Sequence, residues 1–169
     1  AFFDGADVTE AEVLDIDEAA FREDRLDTDH YGYLLVPNIQ EMRQPGKEGS
    51  HMTLDTQENK REIAASVVER IEDDVLYLLG PGTTVRAIAD ALDVPKTLLG
   101  IDAVYAGELA GRDLNEHGIL DLLRQYPRAK IVVTPLGGNG FIFGRGNKPF
   151  TPDVIRQVGR DNMIVVATE

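Results

Sequence analysis

Two glycine-rich turns in this chain have the composition of anion-binding loops. The first is Thr134-Pro135-Leu136-Gly137-Gly138-Asn139-Gly140-Phe141-Ile142-Phe143-Gly144-Arg145-Gly146-Asn147, which leaves the apolar run Ile131-Val132-Val133. Five glycines fall within ten residues there, with Arg145 between two of them. Glycine permits φ > 0 and lets backbone N–H groups approach a ligand with no Cβ in the way. N–H groups of Gly137, Gly138, Asn139 and Gly140, with Arg145 and Asn147 nearby, form a plausible cradle for phosphate oxygens. A glycine-rich hairpin without a ligand would have the same composition.

The second turn is Leu78-Leu79-Gly80-Pro81-Gly82-Thr83-Thr84, after an apolar strand and before a helix. Val85, Ile88, Ala89 and Leu92 recur at helical spacing. Thr83 or Thr84 would cap the orphan N–H groups, and the positive end of the helix dipole would face whatever sits above the strand. Gly80, Gly82, Thr83 and Thr84 therefore have the layout of a phosphate loop. The lysine of a Walker A sequence is missing, and many strand–turn–helix units look alike with nothing bound.

Three further polar positions belong to the same candidate site. Asp102 interrupts the apolar run Leu98-Leu99-Gly100-Ile101-Asp102-Ala103-Val104. A carboxylate there is costly unless it is paired or faces a cleft, so a ligand hydroxyl, a metal ion or a structural hydrogen bond must satisfy it. Asn115 and Glu116 open a helix, where Asp113 or Asn115 can serve as the N-cap. His117 reads as a surface residue, and Tyr77 and Tyr105 as core.

The elements that must position these residues alternate. Strands are expected at 11–16, 31–36, 75–79, 97–104, 130–134 and 163–167, and helices at 57–71, 84–92, 115–126 and 152–158. Residues 17–23 read as an acidic turn or short helix, and 40–56 as a polar loop. Thr151 followed by Pro152 marks the start of the last helix. Short apolar strands separated by helices predict an α/β fold, three-layer, with a mostly parallel sheet and helices on both faces. In such sheets ligands gather beyond the carboxyl ends of the strands. Residues 1–56 read as N-terminal strands and a polar loop of the same unit, and 57–169 as the nucleotide- or phosphate-binding domain.

Composition limits the partners. The 169 residues carry 30 acids and 17 bases, a net charge of −13, with lysine much rarer than arginine. An acidic, lysine-poor surface fits a salt-loving source, where dense salt screens self-repulsion. It is a poor surface for nucleic acid. With no cysteine and three scattered histidines, disulfides, thiolate metal sites and a zinc centre are not expected. No apolar run is long enough to span a membrane and no secretory signal is visible, so a cytoplasmic protein is expected.

The segments Ala11-Glu12-Val13-Leu14-Asp15-Ile16-Asp17-Glu18, Tyr31-Gly32-Tyr33, Gly80-Pro81-Gly82-Thr83-Thr84, Leu98-Leu99-Gly100-Ile101-Asp102, Asp113-Leu114-Asn115-Glu116 and Gly137 to Asn147 resemble the archaeal and bacterial ATP-NAD kinase-like proteins. The likeness runs from about Asp4 to Thr168. It implies phosphorylation of NAD at the adenosine 2′-hydroxyl, with ATP or polyphosphate as donor and Mg²⁺ as cofactor. The Gly-Gly-Asp-Gly-Thr signature, whose Asp is the usual candidate base of NAD kinases, is absent. The chain is therefore expected to be a C-terminal domain or fragment. Its catalytic residue is unknown, and it is inactive alone and dependent on an N-terminal part of the same protein. A homo-oligomer is also expected. The better-known NAD kinases have a β-rich C-terminal domain, whereas this sequence alternates helix and strand. Two other readings remain: a phosphosugar-binding isomerase-like domain, and a non-catalytic nucleotide-sensing or oligomerisation domain.

Overall fold

The computed structural model describes residues 7–16, 28–37, 54–135, 142–144 and 146–168. The chain divides into two compact units, residues 1–47 and 48–169. In the first, β1 (Val8–Ile16) and β2 (Thr28–Pro37) pair antiparallel, with Ala11 opposite Leu34 and an irregularity after Val13. Tyr31, Tyr33, Leu34 and Leu35 of this hairpin are exposed. The turn read at 17–23 and most of the loop read at 40–56 lie outside the described residues, while 54–56 already belong to a helix.

The second unit contains α1 (Leu54–Val68), β3 (Leu76–Leu79), α2 (Thr83–Ala91), β4 (Asp102–Tyr105), β5 (Glu108–Gly111), α3 (Glu116–Gln125), β6 (Ala129–Val133), α4 (Pro152–Val158) and β7 (Met163–Val165). The strands form one sheet in the order β5-β4-β3-β6-β7. All four residues of β3 are buried, as a central strand covered on both faces requires. Leu76 and Leu78 join Ile131 and Val133 in a core that includes Ile119 and Leu123 of α3 and Val154 and Val158 of α4. Tyr77 and Leu79 belong to a second core with Val132, Ala64 of α1, and Val85, Ile88 and Ala89 of α2. Helix-spaced apolar residues thus meet alternate residues of the same strands. Full burial of each large side chain such as Ile88 contributes about 1.5–3 kcal/mol.

The sheet is mixed rather than mostly parallel. β6 pairs parallel with β3 and with β7, but β4 runs antiparallel to both β3 and β5. The sequence pattern predicts one strand over 97–104 following a helix, which would ordinarily be a parallel crossover. Residues 97–101 are instead a return segment: they carry the chain back to the edge where β3 ends, and only then does β4 begin. β4 and the unforeseen β5 are joined by Ala106 (φ 50°) and Gly107 (φ 75°), a pair with the sign of φ needed by a tight hairpin turn.

At the amino end of β3 and β6 an ion-pair network lies on the surface. Glu72 accepts from Arg128 at 2.7 Å and from Lys130 at 2.6 Å, and Arg128 also pairs with Asp74. The Glu72 N–H donates to the Tyr77 hydroxyl at 3.0 Å.

Candidate functional site

At the carboxyl edge of the sheet, neighbouring parallel strands send the chain to opposite faces. β3 continues into α2, which packs in the core with Tyr77 and Leu79. The chain after β6 leads to α4, which packs in the other core with Leu76 and Leu78. Such a topological switch point is where α/β sheets generally bind ligands. Asp102 reaches this edge as well, opposite Leu79, because β4 begins where β3 ends.

The turn after β3 is built tightly. The Gly80 N–H donates to the Val132 carbonyl at 2.8 Å. A Cβ on Gly80 would lie 3.1 Å from that oxygen, 3.1 Å from Val133 Cγ1 and 3.3 Å from Phe150. Gly82 sits at φ 113°, a conformation that L side chains rarely adopt, and its N–H donates to the Leu98 carbonyl at 3.0 Å.

α2, α3 and α4 all begin on this edge, and their starts differ. Asn115 caps α3 by accepting from the Gly118 N–H at 2.9 Å, and Glu116 adds a negative charge to the first turn. Thr151 caps α4, which has Asp153 in its first turn. α2 starts at Gly82 with no side-chain cap and no acidic residue in its first turn. The N–H groups of Thr83, Thr84 and Val85 precede the first intrahelical bond, from Arg86 N–H to the Gly82 carbonyl. Neither threonine caps the helix, contrary to the sequence reading; Thr84 is nevertheless almost wholly buried.

Asp102 is satisfied within the protein. Its Oδ2 accepts from Lys96 Nζ at 3.0 Å, and from the Thr97 N–H and Thr97 hydroxyl at 2.8 Å each. Oδ1 accepts from the Asp113 N–H at 2.8 Å. The Lys96 and Asp102 side chains are each 1% exposed, so a ligand hydroxyl would have to displace one of these donors. Burial works to raise the Asp102 pKa, yet the Asp113 N–H, the Lys96 charge and the Thr97 hydroxyl outweigh it and hold the carboxyl below its ordinary value. Burial pulls the Lys96 ammonium below the usual lysine pKa, against the attraction of Asp102.

Glu116 accepts from the Thr151 hydroxyl and so ties the starts of α3 and α4 together. Asn147 is buried; its Oδ1 accepts from the Gly144 N–H at 2.9 Å and its amide donates to the Ile142 carbonyl, closing the end of the glycine-rich segment. Phe143 and Phe150 meet edge-to-face there, with ring centroids 6.1 Å apart. Gly137, Gly138, Asn139, Gly140 and Arg145 lie outside the described residues. His117 is exposed and lies 3.3 Å from Asp121, and Tyr77 is core.

Structure therefore gathers Gly80, Gly82, Thr83, Thr84, Asp102, Asn115 and Glu116 on one edge. Lys96, Thr97 and Phe150 went unnoticed in the sequence. The signal for the first two was a lysine beside a threonine just before an apolar segment containing a lone aspartate.

The ATP-NAD kinase C-terminal domain matches residues 72–169, more than half of the chain and all of it from β3 onward. The chain belongs to that family. The match to the ATP-NAD kinase C-terminal domain takes in the whole candidate edge, from Gly80 to the end of the glycine-rich segment, and leaves the β1–β2 hairpin outside it. No curated protein and no solved structure matches the chain.

Proposed function

We propose that this domain supplies a phosphate-holding part of the nucleotide site in a phosphotransferase that converts NAD to NADP with ATP or polyphosphate. The observation that carries the reading is the uncapped start of α2 at the switch point, within the segment matched to the ATP-NAD kinase C-terminal domain. Three first-turn N–H groups and the positive end of a helix dipole fit a phosphate. Gly80 keeps the turn close to β6, and Gly82 aims the helix start. Thr83 and Thr84 contribute N–H groups and hydroxyls.

Gly137, Gly138, Asn139 and Gly140 hold further phosphate oxygens in this reading, with Arg145 offsetting the charge that develops during phosphoryl transfer. Asn147 anchors the end of their loop. Glu116 offers a carboxylate to a ribose hydroxyl near the Asn115 cap, and Asp102 acts from behind by holding the turn. ATP or polyphosphate supplies the phosphoryl group. Among the described residues no group of three or more His, Asp or Glu side chains is placed to hold a metal ion, so a Mg²⁺ site does not follow from them. The base belongs to an N-terminal part of the protein, and the chain alone is inactive. No helix among the described residues is long and apolar enough to cross a membrane. We place the protein in the cytoplasm of a salt-loving cell, as a homo-oligomer.

The test is a melting shift at molar KCl with ATP, NAD, NADP, polyphosphate or a sugar phosphate. A ligand selective for the folded state adds about 2.7 kcal/mol at a hundred times its dissociation constant. The expected result is a shift with ATP, NAD or NADP that Thr84→Val reduces. A shift only with sugar phosphates, or a nucleotide shift indifferent to Thr84→Val, defeats this assignment.

A further inference from the structure

The return segment between α2 and β4 has no strand or helix of its own, yet it supplies the Leu98 carbonyl that receives the Gly82 N–H. Its shape is held by one side chain at its centre. Lys96 Nζ donates to the Thr97 carbonyl at 2.7 Å, the Gly100 carbonyl at 2.8 Å and Asp102 Oδ2 at 3.0 Å. An ammonium has three protons, and these three acceptors match them. Asp102 answers by accepting the Thr97 N–H and hydroxyl, while its other oxygen takes the Asp113 N–H ahead of α3.

A buried ion pair is a poor source of stability, since a well-packed apolar pair often does as well. What an apolar pair lacks is direction. Six hydrogen bonds converging on Lys96 and Asp102 fix the path of residues 96–102, and that path sets where the Leu98 carbonyl points.

We propose that Lys96, acting through Asp102 and the Leu98 carbonyl, is a positioning residue that fixes the Gly82 N–H and aims the first turn of α2 at its anionic ligand. The inference rests on the phosphate-site reading for the ligand, but not for the Gly82 contact itself. Lys96 touches no substrate in this scheme. Its effect travels through one carboxylate and one carbonyl to the glycine where the helix starts.

The experiment compares Lys96→Met/Asp102→Asn, which removes both charges together, with Thr97→Val and its conservative partner Thr97→Ser. Amide exchange by NMR is followed at Gly82 and, as an internal control, at Leu78 of β3. Binding of ATP and of NAD is measured on the same samples at molar KCl. In the double variant, Gly82 exchange is expected to quicken while Leu78 keeps its protection, and affinity to fall about tenfold or more, as misplaced binding groups do. Thr97→Val is expected to move both readouts the same way, and Thr97→Ser to restore them; this pair carries the test should the double variant not fold. Unchanged Gly82 exchange, with affinities within about twofold of wild type, overturns the inference. Wild type that binds neither nucleotide sinks the phosphate-site reading, whereas loss of Gly82 protection in the variants still supports the clasp.

Discussion

The two ends of β3 carry two ion-pair clusters of opposite character. At the carboxyl end, Lys96 and Asp102 are each 1% exposed, and their bonds go to the return segment at Thr97 and Gly100 and to the Asp113 N–H ahead of α3. At the amino end, Glu72, Asp74 and Arg128 are 42%, 65% and 54% exposed, and they join the surface of neighbouring strands. The outer cluster has the shorter contacts, yet water screens it and its side chains lose mobility in forming it. Short distances alone therefore do not rank these clusters; burial does. A charge removed from the inner pair leaves its partner stranded in protein, whereas one removed from the outer cluster leaves its partner in water.

That contrast can be broken most forcefully at Asp102. Asp102→Ala leaves the Lys96 ammonium without its counter-charge and is expected to cost about 3–5 kcal/mol in denaturant unfolding. A loss comparable to that of a surface substitution would mean that the pair is hydrated after all. The glycine inside the clasp comes next. A Cβ on Gly100 would run into the Asp113 carboxylate and lie 2.5 Å from Thr97 Oγ1, so Gly100→Ala is expected to cost about 1–3 kcal/mol by overpacking.

Acid sharpens the comparison further. The folded-state pKa of Asp102 is depressed, so its contribution is complete above the ordinary carboxylate value and is lost as pH falls through the folded value. Wild type should weaken steeply below about pH 4, and Asp102→Asn should flatten that part of the stability–pH curve. Glu72 is also lowered, through its hydrogen bonds to Lys130 and Arg128, but its side chain is half-exposed. Arg128→Ala is accordingly expected to leave the midpoint within the scatter of repeated melts, the smallest effect of the series.

Local order was largely legible in the sequence. α4 spans the 152–158 expected of it, because its Thr-Pro start acts within one turn. β3 and α2 are found within a residue of expectation, since a continuous apolar run and an i, i+3, i+4 stripe each specify their own geometry. Strand direction was not legible. Leu98, Leu99 and Ile101 have the apolar character of a strand, and nothing local distinguishes a return segment from the first half of β4. The Ala106-Gly107 turn is a weaker hairpin signal than Asn-Gly, so β5 passed unread.

For the site, the glycines and threonines of 80–84 announced themselves by spacing. Asp102 announced itself as a charge in an apolar run, but its role did not. The lysine that meets it lies six residues earlier, off any regular period, and only the folded return segment brings them together.

The reversal of β4 also decides where this domain can be enlarged. Because β4 runs away from the edge bearing Gly80 and Gly82, the turn at Ala106 and Gly107 emerges at the far end of the sheet. Both residues are exposed, and a side chain at 107 would meet nothing within 4 Å. Loop tips of this kind are where inserted peptides, fluorescent reporters or whole grafted domains are best accepted. A chain that had crossed over to a parallel β4 would have placed its next loop on the edge of Gly80 and Gly82. Here growth of the protein and the start of α2 are assigned to opposite ends of the same strand pair.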